Sequence, residues 1–266
     1  MAASIARRRV RSRRSGVGDR RDSSVGLALC YTGQAGSHAM ADSILPPENV
    51  SAVLPAELSR GLFEKAPVTR LAADQTLFLA GDAGDACYRV EEGLLKASVF
   101  APGGGERILA IFGPGSLVGE LSMIDGRARS ASVAALRPSE LSLVSRAAFE
   151  AFAGSHPELC RHIMMLLARR LRETNVALAA ATFLPLQGRI ARVLLSLAAA
   201  FGNDIGGGRI LIRQKVTQSD LAGMAGLARE NVSRILTDWT DRALVSRRAG
   251  YYYLENQAAI QREVSM

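Results

Sequence analysis

The sequence predicts an α+β chain with three parts: an N-terminal β-roll of the jelly-roll type, a long dimerisation helix, and a C-terminal winged helix-turn-helix. Three observations predict it. From Leu54 to about Val144, short apolar segments alternate with Gly- and Pro-bearing turns, the texture of an all-β barrel or roll. From Arg146 to Phe183 that texture stops: there is no Gly after Gly154 and no Pro after Pro157, and apolar residues recur in heptads. Beyond Pro185, two short helical patterns meet at Gly226 and are followed by a basic-tipped hairpin.

Composition narrows the possibilities. The 266 residues suit one or two domains, and 48% apolar content is ample for a core. No apolar run of transmembrane length escapes interruption by charge, so no membrane span is expected. Cys30, Cys87 and Cys160 are scattered and odd in number, which argues for a reducing cytoplasm and against a disulfide framework. His38, His156 and His162 are unclustered, so no metal site is expected. The net charge is +8, of which residues 1–22 hold +6: eight arginines against Asp19 and Asp22. The other 244 residues carry 8 − 6 = +2. Any argument for nucleic-acid binding must therefore come from local placement of charge.

Residues 1–43 are rich in Arg, Ser, Gly and Ala without periodicity and read as a disordered leader. A transit peptide and a basic DNA-binding arm are two readings; the favoured one is an overlong start, with translation beginning at Met40. The roll is assigned to 44–157. Its expected strands are Gln75–Leu79, Ala86–Val90, Leu94–Phe100, Arg107–Phe112, Ser130–Leu136 and Glu140–Leu143. Leu94–Phe100 and Arg107–Phe112 should form a hairpin across Pro102-Gly103-Gly104-Gly105.

In the helix assigned to 158–183, Cys160, Met164, Leu167, Leu171, Thr174, Leu178 and Ala181 repeat with spacing 4, 3, 4, 3, 4, 3. That is the seam of a helix pairing with its own copy. Ile163 and Leu166 lie beside the seam and should pack back on the roll. Thr174 is a hydroxyl in an apolar seam, followed by Asn175, which suggests a ligand or a cross-seam hydrogen bond.

Residues 184–266 make up the last domain. Pro185 opens a helix to about Phe201, and Phe183-Leu184 is a natural hinge. Arg209–Arg213 reads as a short strand. Thr217-Gln218-Ser219-Asp220 resembles a capping box and starts a helix to about Ala225. Gly226 makes the turn into a second helix, about Ala228–Thr240, whose buried face is Val232, Ile235, Leu236 and Trp239. Arg247-Arg248 tips the wing hairpin.

Two stretches carry chemistry. In Gly119–Val133, Glu120 offers a carboxylate for ribose hydroxyls, while Arg129 beside the hydroxyl of Ser130 suits a phosphate. An inward-facing Arg129 needs a counter-charge, from a ligand or from Glu120. On the second helix, Arg229, Glu230, Ser233 and Arg234 are exposed donors and acceptors suited to base edges. Arg213, Lys215, Arg247 and Arg248 suit phosphates of double-stranded DNA.

The order Gly119-Glu120-Leu121…Arg129-Ser130-Ala131, Arg169-Arg170-Leu171…Thr174, Gly188-Arg189-Ile190-Ala191 and Arg229-Glu230-Asn231-Val232-Ser233-Arg234 resembles the bacterial cyclic AMP receptor protein/fumarate–nitrate regulator superfamily, over about Leu54–Tyr253. The resemblance implies a cyclic nucleotide-binding β-roll, a homodimer through 158–183 and a DNA-binding regulator, not an enzyme. It implies cyclic AMP as effector, with cyclic GMP possible, and RNA polymerase as a further partner. By position, Gly119 would offer backbone, Glu120 would accept from the ribose 2′-OH, Arg129 and Ser130 would hold the cyclic phosphate, and Leu121 would belong to the same ligand site. Thr174 would meet the base from its own subunit and Asn175 from the other. Arg229, Glu230 and Arg234 would read a TGTGA-like half-site. Ala110 and Asn175 depart from the best-known member, which has hydroxyls at both positions. The rival readings are a same-fold regulator answering another effector or none, and a nucleotide-sensing subunit of an enzyme or channel.

Overall fold

The computed structural model describes residues 54–265, and the leader expected at 1–43 lies outside them. Helix α1 (Ala56–Phe63) precedes the roll and buries Leu58, Leu62 and Phe63. The roll comprises β1 (Val68–Leu71), β2 (Thr76–Phe78), β3 (Ala86–Phe100), β4 (Glu106–Phe112), β5 (Leu117–Val118) and β6 (Ser132–Ser145), with α2 (Glu120–Asp125) between the last two. All pairings are antiparallel, in the order β1-β6-β3-β4, with β2 beside β6 and β5 beside β3. Alternating side chains fill the interior with Val90, Leu95, Phe112, Val118, Val133 and Leu141.

Two pairs of expected strands are single long strands. Ala86–Val90 and Leu94–Phe100 are joined in β3, and Ser130–Leu136 and Glu140–Leu143 in β6. Glu92-Gly93, which falls between the two expected strands and on the sequence alone reads as a turn, is a bulge: the β3–β6 register shifts there, Gly93 has φ +98°, and a Cβ on it would collide with Ser139. Ser139 Oγ accepts from the Leu94 amide at 3.0 Å and holds the kinked strands together. The β3–β4 hairpin forms as expected across residues 101–105.

Helix α3 (Arg146–Ser155) is capped by the Ser145 hydroxyl and ends before Pro157, where α4 (Glu158–Phe183) starts. Leu159, Ile163 and Leu166 of α4 pack on Leu62, Phe63, Cys87, Leu117 and Val144. The opposite face is bare: Met164 is 63% exposed, Leu171 63% and Leu178 66%.

The C-terminal part contains α5 (Leu186–Phe201), β7 (Gly202–Asp204), β8 (Ile210–Ile212), α6 (Gln218–Ala225), α7 (Arg229–Asp241), β9 (Val245–Arg248), β10 (Tyr251–Leu254) and α8 (Gln257–Ser265). A second antiparallel sheet runs β7-β8-β10-β9. Thr217 and Asp220 form a complete capping box at the start of α6. Gly226, at φ +66°, turns the chain into α7, the left-handed conformation a glycine allows at little steric cost. Trp239, Val232 and Ile235 of α7 join Ile190, Leu194 and Leu221 in one core. The result is a winged helix-turn-helix, and the fold class is the α+β architecture expected from the sequence. Among the described residues no helix is long and apolar enough to cross a membrane, and no cluster of His, Cys, Asp or Glu could hold a metal.

Candidate functional site

A cavity of about 470 Å³ lies between the roll, α4 and α5. Its roll side is built by a short device. At the end of β5, Gly119 takes φ +83°, a conformation costly for any side chain, and caps α2. This turns Glu120 inward, to 1% exposure. A Cβ on Gly119 would lie 2.6 Å from Arg129 Nη1, so the glycine also makes room for that guanidinium.

Arg129 is 6% exposed and is fixed from several sides. Its main-chain amide donates to Asp82 and its carbonyl accepts from Gly81, both at 2.9 Å. Nη1 donates to the Gly119 carbonyl at 2.7 Å and Nη2 to the Ala86 carbonyl at 2.9 Å. The guanidinium lies 4.3 Å over the Phe78 ring. Nε is buried with no partner, an orphan cationic donor beside the cavity, and the Ser130 hydroxyl lies next along the wall. A buried charge-bearing donor without a partner costs free energy that an anion would relieve.

Glu120 is not the counter-charge of Arg129. Its carboxylate takes Nη1 of Arg170, on α4, whose Nη2 donates to the Leu117 carbonyl and whose guanidinium lies 5.0 Å from the Phe112 ring centroid. Arg170 was not singled out as a site residue from the sequence. The available signal was its i, i+4 spacing to Thr174, which places both on one helix face. Thr174 lines the cavity, yet its hydroxyl already donates to the Arg170 carbonyl at 2.9 Å. A hydroxyl in the seam therefore does not in itself demand a ligand or a cross-seam partner; the helix supplies the acceptor. Asn175 is exposed and lies outside the cavity lining of its own chain. Leu121 is exposed at the rim, and Ala110 faces the cavity from β4. The far wall, from Val193, Ser196, Ala200 and Phe201 of α5, was not legible from sequence because it depends on how the last domain docks.

The helix-turn-helix rests on the roll through α6. A Cβ on Gly223 would lie 3.0 Å from Ile108 of β4, and Lys96 Nζ lies 2.7 Å from Glu106 and 3.9 Å from Asp220. This leaves α7 open. Arg229, Glu230 and Arg234 are exposed and Ser233 half-buried, with Arg234 Nη2 donating to Asn231 Oδ1 at 2.9 Å. Arg213 and Lys215 are exposed before α6. On the wing, Arg247 and Arg248 lie 5.2 Å and 5.6 Å over the rings of Tyr252 and Tyr253, and Lys215 sits 5.2 Å from Tyr251. Aromatic rings thus position a row of cations beside the helix-turn-helix.

Comparison with known proteins gives two domain matches: residues 68–156 match the cyclic nucleotide-binding domain, and 188–263 the Crp-like helix-turn-helix domain. A CRP-like cAMP-activated global transcriptional regulator of Mycobacterium tuberculosis is 35% identical over 170 residues, covering 64% of this chain and 75% of the relative. A cyclic AMP receptor protein of Thermus thermophilus is 36% identical over 169 residues, 64% and 74% respectively. Among solved structures, a CRP-family transcriptional regulator of Thermus thermophilus superposes with a TM-score of 0.64 at 27% identity, covering 74% of this chain and 96% of that one.

Proposed function

Because the chain belongs to the cyclic AMP receptor protein family of DNA-binding transcription regulators, and is thus no enzyme, we propose that it is a homodimer that answers cyclic AMP and reads a TGTGA-like palindrome. The observation that carries this reading is the joint position of the cavity. Its phosphate-type donors, Arg129 Nε and Ser130, sit on the roll, and Thr174 reaches it from the helix whose other face is bare and apolar.

The residues present fit a cyclic nucleotide. Arg129 Nε and the Ser130 hydroxyl supply donors for a cyclic phosphate. Glu120 supplies an acceptor for a ribose hydroxyl, with Gly119 and Leu121 at the same edge. Thr174 keeps its hydroxyl lone pairs for a base, and Asn175 of a paired chain meets the base from across the seam. Arg170 holds Glu120 to α4, so whatever engages Glu120 also biases the helix. Differential binding to one arrangement of that joint is what a ligand must have to shift the equilibrium.

In this reading the chain divides into a roll at 44–157, a dimerisation helix at 158–183 and a DNA-binding domain at 184–266. It works in the cytoplasm alongside RNA polymerase. A two-fold dimer places its recognition helices, α7, in successive major grooves about one helical turn apart. Arg229, Glu230, Ser233 and Arg234 face the bases, and Arg247 and Arg248 the phosphates. A gel shift on a TGTGA…TCACA palindrome tests this: cyclic AMP should tighten binding to the palindrome over a scrambled duplex. Equal binding to both duplexes, with and without nucleotide, would contradict it.

A further inference from the structure

On the reading of the cavity as the effector site, on which this rests, we propose that Ile108 of β4 and Gly223 of α6 are positioning residues. Ile108, seated on Gly223, passes the state of the cavity wall to the recognition helix α7, in addition to the covalent link at Phe183-Leu184. The seat is close. A Cβ on Gly223 would lie 3.0 Å from Ile108 Cγ1, 3.2 Å from its Cδ1 and 3.4 Å from the Glu106 carbonyl oxygen, so any side chain at 223 needs the helix or the strand to give way. Ile108 and Gly223 are both buried. One turn on, a Cβ on Gly226 would overlap the guanidinium of Arg107, the strand neighbour of Ile108. Lys96 of β3 stands at the same edge, 2.7 Å from Glu106 and 3.9 Å from Asp220 in the first turn of α6.

Glycine is a poor residue for the middle of a helix. Gly223 lies inside α6 and is not among the glycines with positive φ, so no left-handed turn calls for it. Close approach to β4 is what it permits. That strand is also a wall of the cavity. Ile108, Ala110 and Phe112 share one face of it and line the cavity. The Phe112 ring lies 5.0 Å from the Arg170 guanidinium that holds Glu120. On the other side of the seat, α6 and α7 move as a unit. Leu221 of α6 packs in one core with Val232, Ile235 and Trp239 of α7, and the Leu227 amide donates to the Ala222 carbonyl at 3.0 Å across the turn. A shift of β4 against a bound molecule is therefore passed to α6 at Gly223 and carries α7 with it, because close-packed elements move as bodies rather than deform.

The test uses the full chain, titrated onto the palindrome with and without cyclic AMP, and reads the ratio of the two affinities. Gly223→Leu wedges helix from strand, and leucine is a good helix former, so α6 itself is not weakened. The ratio should fall by about tenfold while the chain still binds cyclic AMP in calorimetry. Gly223→Ala, a wedge of one methyl group that poses little threat to folding, should lower the ratio in the same direction. Adding Ile108→Ala to Gly223→Leu frees the space the leucine needs and should restore the ratio; loss of a glycine needed only by its own helix would not be rescued from another domain. Small-angle scattering reads the seat without nucleotide: the radius of gyration should rise in Gly223→Leu and return in the double variant. A parent chain whose DNA binding ignores cyclic AMP overturns the effector reading and the coupling together, and scattering then reports on the seat alone. The coupling by itself is overturned if the parent chain responds to cyclic AMP and both Gly223 variants keep its ratio, or if Ile108→Ala restores nothing.

Discussion

Glu120, at the start of α2, is ion-paired with Arg170 of α4, 50 residues further along the chain, and this pair links the wall of the cavity to the long helix. Glu120 is almost wholly buried, and removing its partner would leave a carboxylate uncompensated. Arg170→Ala should therefore cost about 3 kcal/mol in urea unfolding of the roll. Arg170→Lys should recover part of that loss, because it restores the charge without the fork that also reaches the Leu117 carbonyl. Unchanged unfolding in Arg170→Ala would show that the pair contributes nothing.

Arg129→Leu should abolish the calorimetric response to cyclic AMP. It should also lower stability by about 2 kcal/mol, because the Gly119 and Ala86 carbonyls lose their donors. A variant as stable as the parent chain that still binds nucleotide would remove Arg129 from the site.

The bare face of α4 should be covered by a second copy. Leu171→Asp and Leu178→Asp should each convert the dimer to a monomer in analytical ultracentrifugation. Cys160 gives an independent readout, since it is exposed in the single chain and belongs to the seam. It should resist a thiol reagent in the parent protein and react in Leu171→Asp. Cys87 should resist in both at pH 8, since burial pushes its thiol up to about 12. Rapid reaction of Cys160 in the parent chain would speak against pairing through this seam.

Arg234→Ala should cost about 1–3 kcal/mol on the palindrome and relax preference at one base position. Arg248→Ala should weaken all duplexes alike and reduce the salt slope by about one. Equal losses on every sequence for Arg234→Ala would make it a phosphate contact.

What could be read in advance was whatever local chemistry specifies. Thr217 and Asp220 cap a helix, Gly226 turns it, and the 3.6-residue period of Val232, Ile235, Leu236 and Trp239 marks the buried face of the next one. Gly93 misled because a turn and a bulge ask the same thing of a glycine, a positive φ; only the cross-strand Ser139 distinguishes them. Glu120, Arg129 and Ser130 stood out because a carboxylate, an arginine and a serine fall in one short run, with the arginine among small residues that leave room for an anion. Their pairing did not: Glu120 was a candidate partner for Arg129, but the folded chain brings Arg170 to it from another element.

Calorimetric titration of the full chain with cyclic AMP, and separately with cyclic GMP, is the most direct test of the central claim. Heat of binding with cyclic AMP, at one site per chain and lost in Arg129→Leu, is the predicted result. No heat and no thermal shift with either nucleotide would contradict it.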